Sequence, residues 1–202
     1  PDCIECFDYN KIVSDIKEAG VAVSKVEVLD FNSGKGKELL EKTGLQKLPL
    51  IVFSKGLSAY PAVSQDWSFG PKLNDGSFVF SEKAPYFDLK SGEMKGLVGI
   101  VYLTDLNCTE CYDPRNFHKP ILENAFGMKF YSERTIDANS EAGMAFIKKY
   151  SITALPTVLL SKDAFEYPAF VKSWNSAGTI EADGVFVFRD FNAFGGKFKT
   201  TG

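Results

Sequence analysis

Leu48-Pro49 returns as Leu155-Pro156, and the shift of 156 − 49 = 107 residues carries much of the first half of the chain onto the second. It places Ser54-Lys55 on Ser161-Lys162, Tyr60-Pro61-Ala62 on Tyr167-Pro168-Ala169, and Trp67 on Trp174, the only two tryptophans. Asp75-Gly76 with Phe78-Val79-Phe80 meets Asp183-Gly184 with Phe186-Val187-Phe188 at an offset of 108, and Cys3/Cys6 meets Cys108/Cys111 at 105. Motifs that persist while the register drifts by one or two residues mark loop-length changes between equivalent elements of a duplicated unit. Each unit must therefore bury a core with about a hundred residues, which is enough for an independent domain.

The polar, glycine-bearing stretch Ser91-Gly92-Glu93-Met94-Lys95-Gly96 divides the two, giving one domain of residues 1–94 and another of 95–202. In the second, Leu97 to Leu103 reads as a buried strand and Pro114 to Ala125 as a helix with proline in its first turn and Gly127 as its stop. Lys129 to Asp137 alternates as a strand, Ser140 caps a helix running to Tyr150, and Thr157 to Leu160 is a short apolar strand. A helix from Ala169 to Trp174 precedes a hairpin about Ala182-Asp183-Gly184. The first unit repeats this with helices at Tyr9 to Ala19 and Lys35 to Lys42 and strands at Val23 to Leu29 and Leu50 to Phe53. Only two residues precede Cys3, so the first domain is expected to lack its N-terminal strand. The fold class is α/β, a central mixed sheet flanked by helices, occurring twice.

Composition excludes several functions. A net charge of −3 offers no basic field for nucleic acid, and the seven-residue apolar run Leu97 to Leu103 is far short of a membrane span. Pro1 in place of a methionine tilts the reading toward a processed, exported chain, without fixing a compartment. All four cysteines lie in two C-x-x-C pairs, unlike the scattered framework of a small disulfide scaffold.

A cysteine at a strand-to-helix junction, with a second one three residues on in the helix's first turn, brings two sulfurs within disulfide reach. It also sets the outer thiol near unpaired backbone N–H groups and the positive end of the helix, which favours thiolate. By this logic Cys108 and Cys3 attack while Cys111 and Cys6 resolve the mixed disulfide. Two other readings stay open: a structural or vestigial disulfide, and metal binding. The latter is weak, because two thiols do not complete a tetrahedral shell and the pairs are a whole domain apart.

Each unit resembles a thioredoxin-fold domain, and the chain is similar to tandem thioredoxin-like disulfide oxidoreductases and isomerases. The resemblance is carried by C-x-x-C at the start of the first helix and an X-Pro before a strand, 156 − 108 = 48 and 49 − 3 = 46 residues later. It implies that Pro49 and Pro156 are cis and lie against the cysteines, with the backbones of Leu48 and Leu155 pairing an extended substrate segment. It implies protein thiols and disulfides as partners, with no metal and no organic cofactor. The chain departs from the family where an aromatic residue often precedes the first cysteine, having Asp2 and Asn107 there. Tyr102 stands where the family often buries an acid, and Glu5 or Glu110 sits beside the resolving sulfur, which disfavours thiolate and predicts sluggish cysteines.

Other residues carry weaker signals. His118, the one histidine, reads as solvated or cap-adjacent rather than a proton relay. The recurring tryptophans and Phe-Val-Phe strands read as core, Ser33-Gly34-Lys35-Gly36-Lys37 lacks phosphate-loop spacing, and the sequon Asn107-Cys108-Thr109 reads as coincidence. The tail from Phe191 is too rich in glycine and polar residues for the helix that usually closes such a fold. The rival to an enzyme is a non-catalytic structural or self-assembling surface protein, in which a homo-oligomer forms when another copy fills the missing strand position.

Overall fold

The computed structural model describes residues 3–191 and 197–201. Readings that rest on Pro1, Asp2 and residues 192–196 of the tail lie outside the described residues. The architecture is mixed α/β, and the chain divides into two compact units, Pro1–Lys95 and Gly96–Gly202.

The first unit runs α1 (Tyr9–Glu18), α2 (Gly34–Thr43), β1 (Lys47–Leu48), β2 (Ile51–Phe53), a 3-10 turn at Lys55–Ala59, α3 (Pro61–Ser64), β3 (Phe78–Phe80), β4 (Tyr86–Asp88) and β5 (Glu93–Lys95). Asp8 caps α1 by accepting the Asn10 N–H at 2.9 Å, and Ser33 caps α2 by accepting the Gly36 N–H at 3.0 Å. The glycine-lysine run that faintly suggests a phosphate loop is the capped first turn of α2. β2 pairs antiparallel with β3, and α1 lays Ile12 on them in a cluster with Phe7, Phe80, Ile51, Phe53 and Trp67. β1, β4 and β5 make a separate three-stranded antiparallel sheet.

One expectation fails in this unit. Val23 to Leu29 forms no strand, and Val26 and Val28 are 51% and 70% exposed. The polar stretch at the domain boundary turns at Ser91-Gly92 and sends Glu93–Lys95 back along Tyr86–Asp88, so the first unit ends on a hairpin and the division falls between Lys95 and Gly96. The pattern has the alternation of a strand at 23–29, but alternation makes a strand only where a neighbour completes the ladder.

The second unit has that neighbour. It runs β6 (Leu97–Thr104), α4 (Pro114–Phe126), β7 (Lys129–Asp137), α5 (Glu141–Tyr150), β8 (Ala154–Leu155), β9 (Thr157–Leu160), a 3-10 turn at Lys162–Glu166, α6 (Pro168–Trp174), β10 (Gly178–Ile180), β11 (Phe186–Phe188) and β12 (Lys199–Thr200). The five-stranded sheet has the order β10-β11-β9-β6-β7, with β6 parallel to β7 and antiparallel to β9. On β6, Val101 and Leu103 turn to one face, where α5 adds Phe146, Ile147 and Tyr150. Phe186 and Phe188 of β11 turn to the other face, under Phe170 and Trp174 of α6 and His118 of α4. With both faces covered, Val98, Ile100, Tyr102 and Leu103 of β6 are fully buried.

Equivalent positions repeat in detail. Tyr60 Oη accepts the Ala22 N–H at 3.2 Å, as Tyr167 Oη accepts the Lys129 N–H at 3.3 Å. Ser140 caps α5 as Ser33 caps α2. In each case a glycine in the first turn rides over the preceding chain: a Cβ on Gly36 would lie 2.0 Å from Asp30 O, and one on Gly143 2.1 Å from Asp137 O. Gly143→Ala and Gly36→Ala are therefore each expected to destabilise their unit by about 3 kcal/mol in denaturant unfolding, since backbone has to move. Gly34→Ala, two residues earlier where nothing lies within 4 Å, is the internal control. It is expected to be neutral or to stabilise by about 0.5 kcal/mol.

Candidate functional site

In each unit the cysteines lie in the turn ahead of a helix. Cys3–Cys6 and Cys108–Cys111 are both disulfides, with Cα–Cα distances of 5.3 and 5.5 Å. Against the expectation from the spacing, neither second cysteine is in the first turn of its helix; α1 begins at Tyr9 and α4 at Pro114, each three residues after that cysteine. The reason is the cap. Asp8 and Asp113 receive the first free N–H groups, Asn10 and Arg115, each at 2.9 Å. A carboxylate thus stands between each sulfur pair and the positive end of its helix, and the dipole argument for an acidic thiol loses most of its force.

The prolyl loops touch the cysteine-bearing segments. Leu48-Pro49 and Leu155-Pro156 are cis, and so is Ala84-Pro85, which the repeat does not single out. Cys6, 3% exposed, has its sulfur 3.4 Å from Leu48 O, whereas Cys3 is exposed with its sulfur 3.5 Å from Met94 Sδ. In the second unit Tyr112 ties the loops together: its hydroxyl donates to Pro156 O at 3.4 Å and lies 3.0 Å from His118 Nε2. Cys108 and Cys111 are half-buried at a shallow cleft shared with Tyr102, Asp105, Thr135 and Arg115.

The backbone edges beside these loops are taken by the chain itself. Leu48 pairs with Phe87 of β4, while Pro85 O accepts the Phe7 N–H at 2.8 Å. Leu155 pairs with Lys199 of β12, while Lys197 O accepts the Tyr112 N–H at 3.3 Å. The contacts that the resemblance reserves for a visiting segment are thus made internally, by a hairpin in one unit and by the tail in the other. The tail contribution is invisible to periodicity, because two residues of strand leave no alternation to read.

Three ionisable groups shape the second site. Tyr102, at the position of the expected acid, donates to Glu133 Oε1 at 3.2 Å; burial pushes its phenol up, and the adjacent carboxylate reinforces this. Lys199, Asn107 and Asn139 hold Asp105 below the usual carboxylate range against the opposing effect of burial. His118, expected from the sequence to be solvated or cap-adjacent, is instead buried within α4 under Phe188, with ring centroids 4.4 Å apart. Burial pushes its imidazole down from 6.5 to about 4.

That shift has a pH consequence. Between about 6.5 and 4 the unfolded chain binds a proton at His118 that the folded chain does not, so the contribution is complete above pH 6.5 and is lost as pH falls. Stability of the second unit is expected to drop by about 2 kcal/mol on going from pH 7 to 4.5. His118→Phe should flatten that part of the profile in urea unfolding. An equal slope in the variant would assign the effect elsewhere.

Among the described residues no group of three or more metal-ligating side chains comes together, and no helix is long and apolar enough to cross a membrane. Compared with known proteins, the chain matches no family model, no curated protein and no solved structure.

Proposed function

We propose that the chain is a thiol:disulfide oxidoreductase of two thioredoxin-like units, acting on protein thiols and disulfides. The observation that carries the reading is a duplicated juxtaposition: in each half a C-x-x-C disulfide precedes a helix, and its segment touches a cis X-Pro loop, through Cys6 Sγ in the first unit and through the hydroxyl of Tyr112, next to Cys111, in the second. The disulfide form is the oxidised state of such a catalyst. A substrate thiolate attacks Cys108 Sγ, the Cys108–Cys111 bond breaks, and its electron pair leaves on Cys111 Sγ, which takes a proton from solvent. A second substrate thiolate then attacks the substrate sulfur of the mixed disulfide and releases Cys108, which is protonated in turn. Two electrons and two protons have passed from the substrate dithiol to the pair. The reverse sequence reduces a disulfide, and the partner's potential sets the direction. With Asp113 and Asp8 capping the helices, attack by the reduced pairs is slow for this class.

One observation favours a second reading, a non-catalytic assembling protein. β2 pairs with β3 alone, and the extended segment 23–29 has no ladder among the described residues, so the first unit offers a strand position that another chain could occupy. Turnover separates the two. The protein is expected to accelerate reduction of an insulin-type protein disulfide by glutathione about tenfold or more over the uncatalysed rate, with saturation in substrate. A rate equal to the uncatalysed one refutes the enzyme.

A further inference from the structure

The tail segment Lys197–Thr201 is bound to the second unit as an extended peptide would be. Lys199 and Thr200 pair antiparallel with Leu155 and Ala154, directly ahead of Pro156. Thr201 continues the pairing, its N–H donating to Thr153 O at 3.0 Å and its hydroxyl to Ile152 O at 2.6 Å. Toward the sulfurs, Lys197 O accepts the Tyr112 N–H, one residue past Cys111. Side chains two apart on an extended strand share a face, and here that face meets acid. Lys197 Nζ lies 3.0 Å from Glu110 Oε2, inside the C-x-x-C loop, and Lys199 Nζ lies 2.8 Å from Asp105 Oδ2. Glu110 is 71% exposed, whereas the Asp105 side chain is 5% exposed and further held by the Asn139 amide at 2.8 Å. A carboxylate so enclosed is fixed in place and reads a cation more stringently than a mobile surface acid does.

We propose that the second cysteine pair selects extended polypeptide segments with lysines at alternate positions, and that Lys197-Phe198-Lys199 occupies that site as an internal stand-in. Glu110 and Asp105 are the specificity residues; the backbone of Ala154 and Leu155 supplies the sequence-independent part of the grip. A substrate must displace the tail before its thiol or disulfide reaches Cys108. The proposal rests on the oxidoreductase reading for its purpose, but its test does not require turnover.

The probe is a fluorescent peptide of sequence Lys-Phe-Lys-Thr-Thr, compared with Glu-Phe-Glu-Thr-Thr by anisotropy. In the full chain carrying Lys197→Glu and Lys199→Glu, the tail meets like charge and is released, and the lysine peptide is expected to bind about tenfold more tightly than the glutamate peptide. Asp105→Asn with Glu110→Gln in that background is expected to erase the preference. Equal binding of both peptides, or of neither, overturns the proposal. Should the variant fail to fold, the unaltered protein answers instead. A millimolar concentration of the lysine peptide is expected to speed exchange of the Thr201 amide about threefold while the glutamate peptide does not, and no difference between them overturns the proposal. Selective binding without turnover would keep this site and remove the enzyme reading; turnover without selectivity would do the reverse.

Discussion

Cys108→Ser with Cys111→Ser is expected to lower turnover of a protein disulfide about tenfold, whereas Cys3→Ser with Cys6→Ser lowers it less than about twofold. The inequality follows from what covers the two edges. In the first unit β1 is locked to β4, which is itself paired with β5, so freeing Leu48 means breaking into a three-stranded sheet. In the second unit Leu155 is covered by the two residues of β12, fastened by two lysine ion pairs and the Thr201 contacts. Such a short edge opens locally at far lower cost than a hairpin within a sheet. A small thiol needs no edge and meets the exposed Cys3 directly, so dithiothreitol should reduce Cys3–Cys6 at least as fast as Cys108–Cys111. The preference for the second pair should appear only with polypeptide substrates. Cys111→Ser alone, which leaves the attacking sulfur but no resolving one, should accumulate a mixed disulfide at Cys108, seen as a thiol-sensitive mass shift. Equal losses from the two double variants would break the link between edge coverage and activity.

The repeat made the larger architecture legible because it encodes buried positions. Trp67 and Trp174, the Phe-Val-Phe strands and the tyrosines that close each unit sit where packing demands the same side chain twice. Helix boundaries were readable from Ser140 and Gly127, whose local chemistry needs no tertiary partner. What depended on distant residues was not readable. Val23 to Leu29 reads as a strand like its counterpart Lys129–Asp137 yet forms no ladder among the described residues, because pairing is a property of two segments. The tail strand needs Leu155, forty-four residues earlier, to exist at all. At the site, the cysteines and prolines were visible as motifs, while the capping role of Asp113, the burial of His118 and the grip of Asp105 on Lys199 emerge only once the loops are folded together.

Amide exchange should expose the difference between the two halves most sharply. Lys129–Asp137 forms eight ladder pairs with β6, and its amides are expected to be protected about a thousandfold or more over 23–29, which makes no ladder among the described residues and is exposed from Ser24 to Val28. The same contrast applies to the strands beside them: Val158, Leu159 and Leu160 of β9 are buried with β6 on one side and β11 on the other, while Ile51, Val52 and Phe53 of β2 are only half-buried and paired on one side. Uneven protection of this kind fixes where a strand could be added, since an added strand must pair with both 23–29 and β2 at once. If copies of the chain use that position for each other, protection at 23–29 and at β2 will rise together with protein concentration, and light scattering will show a mass above 22.3 kDa over the same range. If protection at 23–29 is already as high as at Lys129–Asp137 in dilute protein, the segment is a strand after all. The edge then offers no position to a second chain, and the assembling reading has nothing to stand on.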